Sequence, residues 1–539
     1  MATASFLPAA SRARRPSIRR LAAGLAACAS NPAAAPWLVI GFAAVHAVLW
    51  TFILVRLKAA QDVHMDVAEA FAWGQKFQLG YGKHPPLSGW VAGLWFRIFP
   101  AADWATYALA MATLGCGLVI CWLISLRVVD RRRAFFVVVM LALYPIFNFK
   151  GFKNNPDLLQ LVTLPLLVLA YLNAFEKRTV RSGLWLGLAG TLALMTKYWV
   201  LTMIGAIGLA ALIHPERAKF LRSPAPWVAI ATLVVTMIPH LVWLIEVDFV
   251  PLTYAGDVYS LSSRAQVAQL VLGYVGHNLA LLAAPLVLAA LAAWTPRWWS
   301  KPARQAPAPF AHVWSRGARA GVNIPQALNV WLIQSIVALG PPLGALIFTV
   351  YMKTDWGISL FFLTPLALVA IPQLRLQKIA LFRITVIWLV VTLATLAAAP
   401  AIAEREMAVN PNGAVTYGAR SQLAHELTEA WHLRFNTRWR VVAGTTEMGE
   451  PMTFYSPDHP APFTPGELWS SGLTSLEEAK RNGFIGICDS TDYRLAVCEA
   501  WMKANAKDAE QLAITTQRFF RGHPGPAINW KVYIVPPPK

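Results

Sequence analysis

Charge is scarce in this chain. Asp, Glu, Lys and Arg make up 14% of 539 residues, and the acids are the rarer sign, 27 against 47 Lys and Arg. With 57% hydrophobic residues and a mean hydropathy of +0.48, this excludes an ordinary soluble domain and a disordered chain. Cysteine is scarce too, at five, which excludes a disulfide-dense secreted scaffold. The formal charge of +20 does not point to nucleic acid, because the basic residues recur in short loops between apolar runs. That is how a membrane protein fixes its orientation, so no nucleic-acid partner is expected.

What is present is a series of apolar runs. A spanning helix needs about 20 apolar residues for roughly 30 Å of hydrocarbon. About eleven spans are predicted, near 36–57, 105–127, 134–149, 157–175, 183–197, 199–213, 226–246, 267–294, 328–352, 357–373 and 380–401. The 23 Trp suit anchoring at the interface with membrane lipids. Taken alternately, one set of loops holds Arg12, Arg14, Arg15, Arg19 and Arg20, then Arg127 and Arg131 to Arg133, then Lys177, Arg178 and Arg181. Arg217, Lys219 and Arg222 follow, then Arg297, Lys301, Arg304, Arg316 and Arg319, and finally Arg375, Lys378 and Arg383. The other set holds Asp62, Asp66, Glu69, Asp103, Asp157, Glu246, Asp248, Asp257 and Asp355. The basic set is expected in the cytoplasm. Reading 183–213 as one helix would reverse everything downstream, and the basic loops after it favour two spans.

Three parts follow. Residues 1–35 form a basic, mobile cytoplasmic leader, and Cys28 in a lipoprotein-like box contradicts the loop pattern if cleaved. Residues 36–401 form the membrane domain, with a Pro/Arg-rich cytoplasmic connection from Thr295 to Ile324. Residues 402–539 are expected outside, as a small α/β domain. In it, 419–434 reads as an amphipathic helix with Leu423, Leu427, Ala430, Trp431 and Leu433 on the apolar side. Trp439 to Ala443, Gly483 to Cys488 and Lys531 to Val535 read as strands, with helices near Leu476–Arg481 and Asp492–Ala504. Cys488 and Cys498 are disulfide candidates in an oxidising compartment, with two reduced buried thiols as the alternative.

Chemistry is sought in the acidic loops. In the first, 58–104, Asp66 and Glu69 at i, i+3 share a face of a short helix. Lys83-His84-Pro85-Pro86 is a cationic pair stiffened by two prolines. Carboxylates and cations at a membrane surface suit a phosphate-bearing lipid, although ordinary surface charges would read the same way. In the second loop Asp157 starts a span, where capping is its plain role. Lys150 and Lys153 face either an anionic phosphate or anionic lipid. Lys197, with Tyr198, sits among apolar residues and needs water or a partner. Lys353, Asp355 and Trp356 occupy a late outside loop.

The run Asp66-Val67-Ala68-Glu69-Ala70, followed by Gly80-Tyr81-Gly82-Lys83-His84-Pro85-Pro86-Leu87, resembles the first periplasmic loop of the dolichyl-phosphate-mannose protein mannosyltransferase superfamily. Its bacterial branch includes aminoarabinose and lipid A galacturonosyltransferases. The resemblance extends over roughly 37–400 and implies a GT-C fold in a polytopic α-helical membrane protein. It also implies an inverting transfer from a polyprenyl-phosphate-linked sugar to a lipid, lipopolysaccharide or protein acceptor at the periplasmic face of the inner membrane. Asp66 would be the general base and Glu69 its support or a helix cap. Lys83 or His84 would contact phosphate, and the family's usual acid-lysine pair is replaced here by Lys83-His84. Asp157 matches the family's second acidic position, and Lys353, Asp355 and Trp356 its late Trp-bearing loop. Some relatives use a divalent metal, but no ligand cluster with suitable spacing is present, so no cofactor is expected. A transporter or flippase, or a scaffold with a partner-binding tail, fits the composition as well.

Overall fold

A computed structural model describes residues 17–259, 261, 263–294, 321–409, 416–465 and 472–538. Among the described residues seven helices are long and apolar enough to span a membrane: Ala35–Leu57, Asp103–Val128, Pro156–Lys177, Pro224–Glu246, Arg264–Ala293, Ile324–Phe348 and Lys378–Val409. Their outward faces are apolar, as on Pro224–Glu246, where Ile230, Val234, Val235, Ile238, Leu241 and Ile245 are exposed. So continuous an apolar surface requires lipid around it.

The other four predicted spans correspond to shorter elements, for local reasons. The expected 134–149 is the helix Arg131–Ala142, started early because Asp130 accepts the Arg133 N–H, and ended by a 3-10 turn at Pro145–Phe147. The pair 183–197 and 199–213 is Val180–Leu194 and Leu201–Ile213. The chain runs out along the first and back along the second, since Arg178 before the first lies 3.2 Å from Glu216 after the second. The last, 357–373, is a 3-10 helix Thr354–Leu363 running into an α-helix Thr364–Val369. Gly357 there approaches Tyr274 and Asn278 so closely that a Cβ would lie 2.6 Å from the Asn278 amide.

The basic loops gather at one end of the bundle. Val129 bridges Val322, Arg133 Nη2 donates to Leu374 O at 2.9 Å, and Arg383 donates to Trp294 O at 2.8 Å. Arg12, Arg14 and Arg15, and Arg297, Lys301, Arg304, Arg316 and Arg319 of the predicted Pro/Arg-rich connection, lie outside the described residues. Within the leader expected to be mobile, Ile18–Ser30 is a helix with Ala22, Ala26 and Ala29 buried. At the other end, helices Met65–Gly74 and Leu87–Phe96 fold the first acidic loop into a hairpin. They touch through glycine, since a Cβ on Gly74 would fall 2.5 Å from the Gly93 nitrogen.

Over this end lies an α/β domain with strands β1 Val441–Ala443, β2 Ala461–Phe463, β3 Phe484–Asp489, β4 Glu510–Phe520 and β5 His523–Val535. Their order is β2-β1-β3-β5-β4, with β2, β1 and β3 parallel and β5 and β4 antiparallel. Strand alternation sends Val442 to one face and Val441 and Ala443 to the other, each covered by helices. In Arg420–Phe435 the buried side is Leu423, Ala424, Leu427 and Trp431, whereas Leu433 is 87% exposed, two residues beyond Trp431 and so on the opposite face. β2, β4 and the helix Thr446–Tyr455 were not foreseen; Pro451 inside that helix interrupts its pattern. Cys488 on β3 is disulfide-linked to Cys498 on the helix Leu495–Asn505. The double variant Cys488→Ser/Cys498→Ser is expected to lose about 3 kcal/mol of domain stability, the loop-closure entropy of so short a ring. An unchanged unfolding midpoint would refute that contribution.

Candidate active site

The site is built where two helices begin. His64 is extended and its ring Nδ1 accepts the Asp66 N–H at 3.1 Å, which starts Met65–Gly74. Asn155 caps Pro156–Lys177 by accepting the Leu158 N–H at 3.0 Å. Its Nδ2 donates to Asp66 Oδ2 at 2.9 Å, so one amide ties the two helix starts together. The cap is therefore Asn155 and not Asp157, which sits in the first turn; Glu69, in mid-helix, is no cap either. Asp66 and Asp157 both lie at the positive ends of helix dipoles, which favour negative charge.

A cavity of about 280 Å³ opens here, lined by His64, Asp66, Asn155, Asp157 and Asp355 and by Lys150, Lys153 and Lys353. Lys197 donates to Asp157 at 2.7 Å and holds its ammonium 5.5 Å from the Trp356 ring. That gives the intramembrane lysine its partner. Gln160 also donates to Asp157, at 3.1 Å. Asp355 is 3.2 Å from His277 Nε2 and 3.9 Å from Lys150. Among the described residues Lys153 and Lys353 form no ion pair.

Burial works against charge on Asp66. His64, Lys153, the Asn155 hydrogen bond and Lys353 outweigh it and hold the carboxyl well below the usual carboxylate range. Burial brings His64 down to about 4, against the pull of Asp66, so at neutral pH its ring is uncharged and the two lysines remain. Burial, with Lys197 and Lys83 nearby, also depresses His84 well below the ordinary histidine range.

Lys83 does not line this cavity. It donates to Glu69 at 2.6 Å, with side chains 11% and 9% exposed, and lies 5.9 Å from the Tyr254 ring. Burial opposes its charge, and Glu69 more than restores it. The Pro-Pro-Leu turn is anchored by the first available donor after the prolines, Leu87 N–H, on Met195 O at 2.9 Å. Tyr198 turns away from the acids, its hydroxyl 3.1 Å from His240 Nε2. Trp356 belongs to an aromatic group with Trp199, Tyr259 and Tyr351. The site thus joins Asp66, Asp157, Lys150, Lys153, Lys353 and Asp355, with Lys197 paired to Asp157 and Trp356 next to Lys197, and leaves Lys83 paired with Glu69 outside the lining.

Asn155, His64 and His277 were missed as site residues. An Asn before a Pro at the start of an apolar run is a strong cap signal. His277, polar within the predicted 267–294 span, carried the general signal of an intramembrane ionisable group. Among the described residues no group of three or more His, Cys, Asp or Glu is arranged to hold a metal ion.

Residues 83–243 match the family model described as dolichyl-phosphate-mannose-protein mannosyltransferase. Lipid A galacturonosyltransferase RgtD of Rhizobium johnstonii is 24% identical over 240 residues, covering 42% of this chain and 47% of RgtD. The chain thus spans about half the length of that curated relative. ArnT from Cupriavidus metallidurans, crystallised with undecaprenyl phosphate, superposes with a TM-score of 0.60 at 12% identity. That match covers 93% of this chain and 98% of ArnT, and at such identity it is a likeness of fold. The match over residues 83–243 and the likeness of fold to ArnT together place a segment similar to the dolichyl-phosphate-mannose-protein mannosyltransferases within a GT-C membrane fold.

Proposed function

We propose that the chain is an inverting glycosyltransferase. It takes a sugar from a polyprenyl-phosphate donor and passes it to a lipid, lipopolysaccharide or protein acceptor at the periplasmic face of a bacterial inner membrane. The observation that carries this reading is the ionised carboxylate of Asp66 in the same small cavity as Lys150, Lys153 and Lys353.

The chemistry is a single displacement. Asp66 takes the proton of an acceptor hydroxyl while that oxygen bonds to the anomeric carbon, and the bond from that carbon to the phosphate oxygen breaks. The polyprenyl phosphate leaves with the electron pair, and the three lysines and two helix starts stabilise its charge. Because the leaving group is already a phosphate, no second carboxylate is needed to protonate it. Asp157, neutralised by Lys197, and Asp355, beside His277, shape the cavity wall.

A second cavity of about 980 Å³ runs along Val180–Leu194, from Leu79 and Leu87 near the Pro-Pro turn to Lys177. Its Leu166, Leu169, Leu188 and Leu192 walls suit a polyprenyl chain. The undecaprenyl phosphate of the ArnT crystal and the lipid A named for RgtD support a lipid-linked donor and a lipid acceptor. The loops rich in Arg and Lys at the far end, read by the positive-inside rule, support a periplasmic site.

The test is transfer in proteoliposomes, with labelled polyprenyl-phosphate sugars and a membrane extract as acceptor. The expected result is label moving to an acceptor from these donors and not from nucleotide sugars. No transfer from any such donor, with protein-dependent movement of the lipid across the bilayer instead, would make the chain a flippase.

A further inference from the structure

Asp62, four residues before Asp66, has a fully buried side chain, as does Arg420 at the start of the first helix of the C-terminal domain (0% and 1% exposed). Asp62 Oδ2 accepts the Arg420 backbone N–H at 3.2 Å and its Nε at 3.4 Å, and Arg518 of β4 donates to Oδ1. The Asp62 N–H bonds Thr416 O at 2.7 Å. One residue on, the Val63 N–H donates to the Tyr455 hydroxyl at 2.7 Å, and that hydroxyl donates to Asp103 Oδ1 at 3.0 Å. Along the helix Met65–Gly74, Phe71 packs edge-on against Phe454 of the domain, centroids 5.2 Å apart. Past its end, Lys76 donates to Leu473 O, and Gln78 Nε2 to Gly472 O at 2.7 Å. The domain therefore holds this helix before its start, along its side and after its end.

A buried carboxylate that loses a charged partner is left uncompensated, so the Asp62 cluster resists sliding. A catalytic group must stay within about 0.5 Å of its productive place. We infer that the C-terminal domain positions Asp66, with Asp62, Arg420, Arg518 and Tyr455 as positioning residues that set the helix Met65–Gly74 over the cavity. This rests on Asp66 being the base. It goes beyond that reading in making the domain a part of the catalytic step and neither an acceptor-binding surface nor a cover.

The test uses the full chain in proteoliposomes, with Tyr455→Phe, Arg518→Lys and Arg518→Gln. Arg434→Gln, which breaks an exposed pair with Glu510 inside the same domain, is the control. Tyr455→Phe removes one oxygen and keeps the ring against Phe454, so it decides the matter if the Arg518 variants fail to fold. Two readouts are taken: kcat and KM in transfer, and amide hydrogen exchange of residues 65–74.

A misplacement near 1 Å is expected to lower kcat about 10- to 100-fold, with KM for donor and acceptor within about 2-fold of wild type. Exchange in 65–74 should quicken about 5-fold or more, with Arg518→Lys milder than Arg518→Gln and the control unchanged. Unchanged kcat, unchanged exchange, or a loss confined to the acceptor KM would each overturn the inference, the last in favour of an acceptor-binding domain. If Asp66→Asn transfers as fast as wild type, the base assignment fails by itself. Exchange then still decides whether the domain holds this helix.

Discussion

Asp66→Asn is expected to lower kcat about 10²- to 10³-fold while donor affinity stays near wild type. General-base catalysis contributes about 10²- to 10⁴-fold, and the lower part of that range applies because a strongly ionised carboxylate is a weak base. Asparagine keeps the shape of the side chain and an oxygen for the Asn155 donor, so the helix start should persist. The pH dependence has a definite sign. The folded carboxyl lies below its ordinary range, so the base form is present at every pH above that range and is lost only as pH falls through the depressed value. The stability contributed by this carboxylate follows the same course, complete above its unfolded value and lost on acidification. A wild-type kcat profile should therefore show no acid limb from Asp66 between about pH 5 and 8. Lys153→Met removes one of the cations that depress it, so any acid limb should move upward. Transfer by Asp66→Asn at the wild-type rate would sink the assignment, and a wild-type acid limb near neutrality that vanishes in Asp66→Asn would refute the charge argument.

Lys83→Met is expected to destabilise the protein by up to about 3–5 kcal/mol, because it takes from the buried Glu69 the ammonium that lies 2.6 Å away. The double variant Glu69→Leu/Lys83→Met should recover most of that loss, since apolar replacement of a whole buried pair is often neutral. Thermal unfolding in detergent, compared across the single and double variants, reads this directly. The first-loop motif suggested a phosphate contact for Lys83, and the geometry makes that claim separable. Should Lys83→Met unfold at the wild-type temperature while the donor KM rises about 10-fold, Lys83 is a donor ligand and its pairing with Glu69 is incidental.

Much of the fold was legible because lipid imposes one rule on every span. Backbone polar groups must be satisfied within the helix and side chains must be apolar, so each predicted run met a helical element. Lengths were less legible. Asp130 starts one helix early, Pro145 stops it, and Gly357 lets another segment tighten against Tyr274. These are local contacts that a hydropathy window averages away. The loop alternation was readable because charge excludes itself from hydrocarbon. The same scarcity of charge made Asp66, Asp157 and Lys197 stand out.

Their partners could not be read off. Asn155 meets Asp66 across 89 residues, Lys197 meets Asp157 across 40, and Asp62 meets Arg518 across 456. Sequence by itself determined that this chain lives in a membrane, which loops share an end, and that Asp66 and Glu69 share a short helix in the first acidic loop. Tertiary structure alone decided that Lys83 is held by Glu69, that Lys153 and Lys353 face the cavity, and that the C-terminal domain grips the Asp66 helix. The reason is physical. Hydropathy and helix starts are properties of neighbouring residues, whereas a charge finds its partner only after the helices have packed.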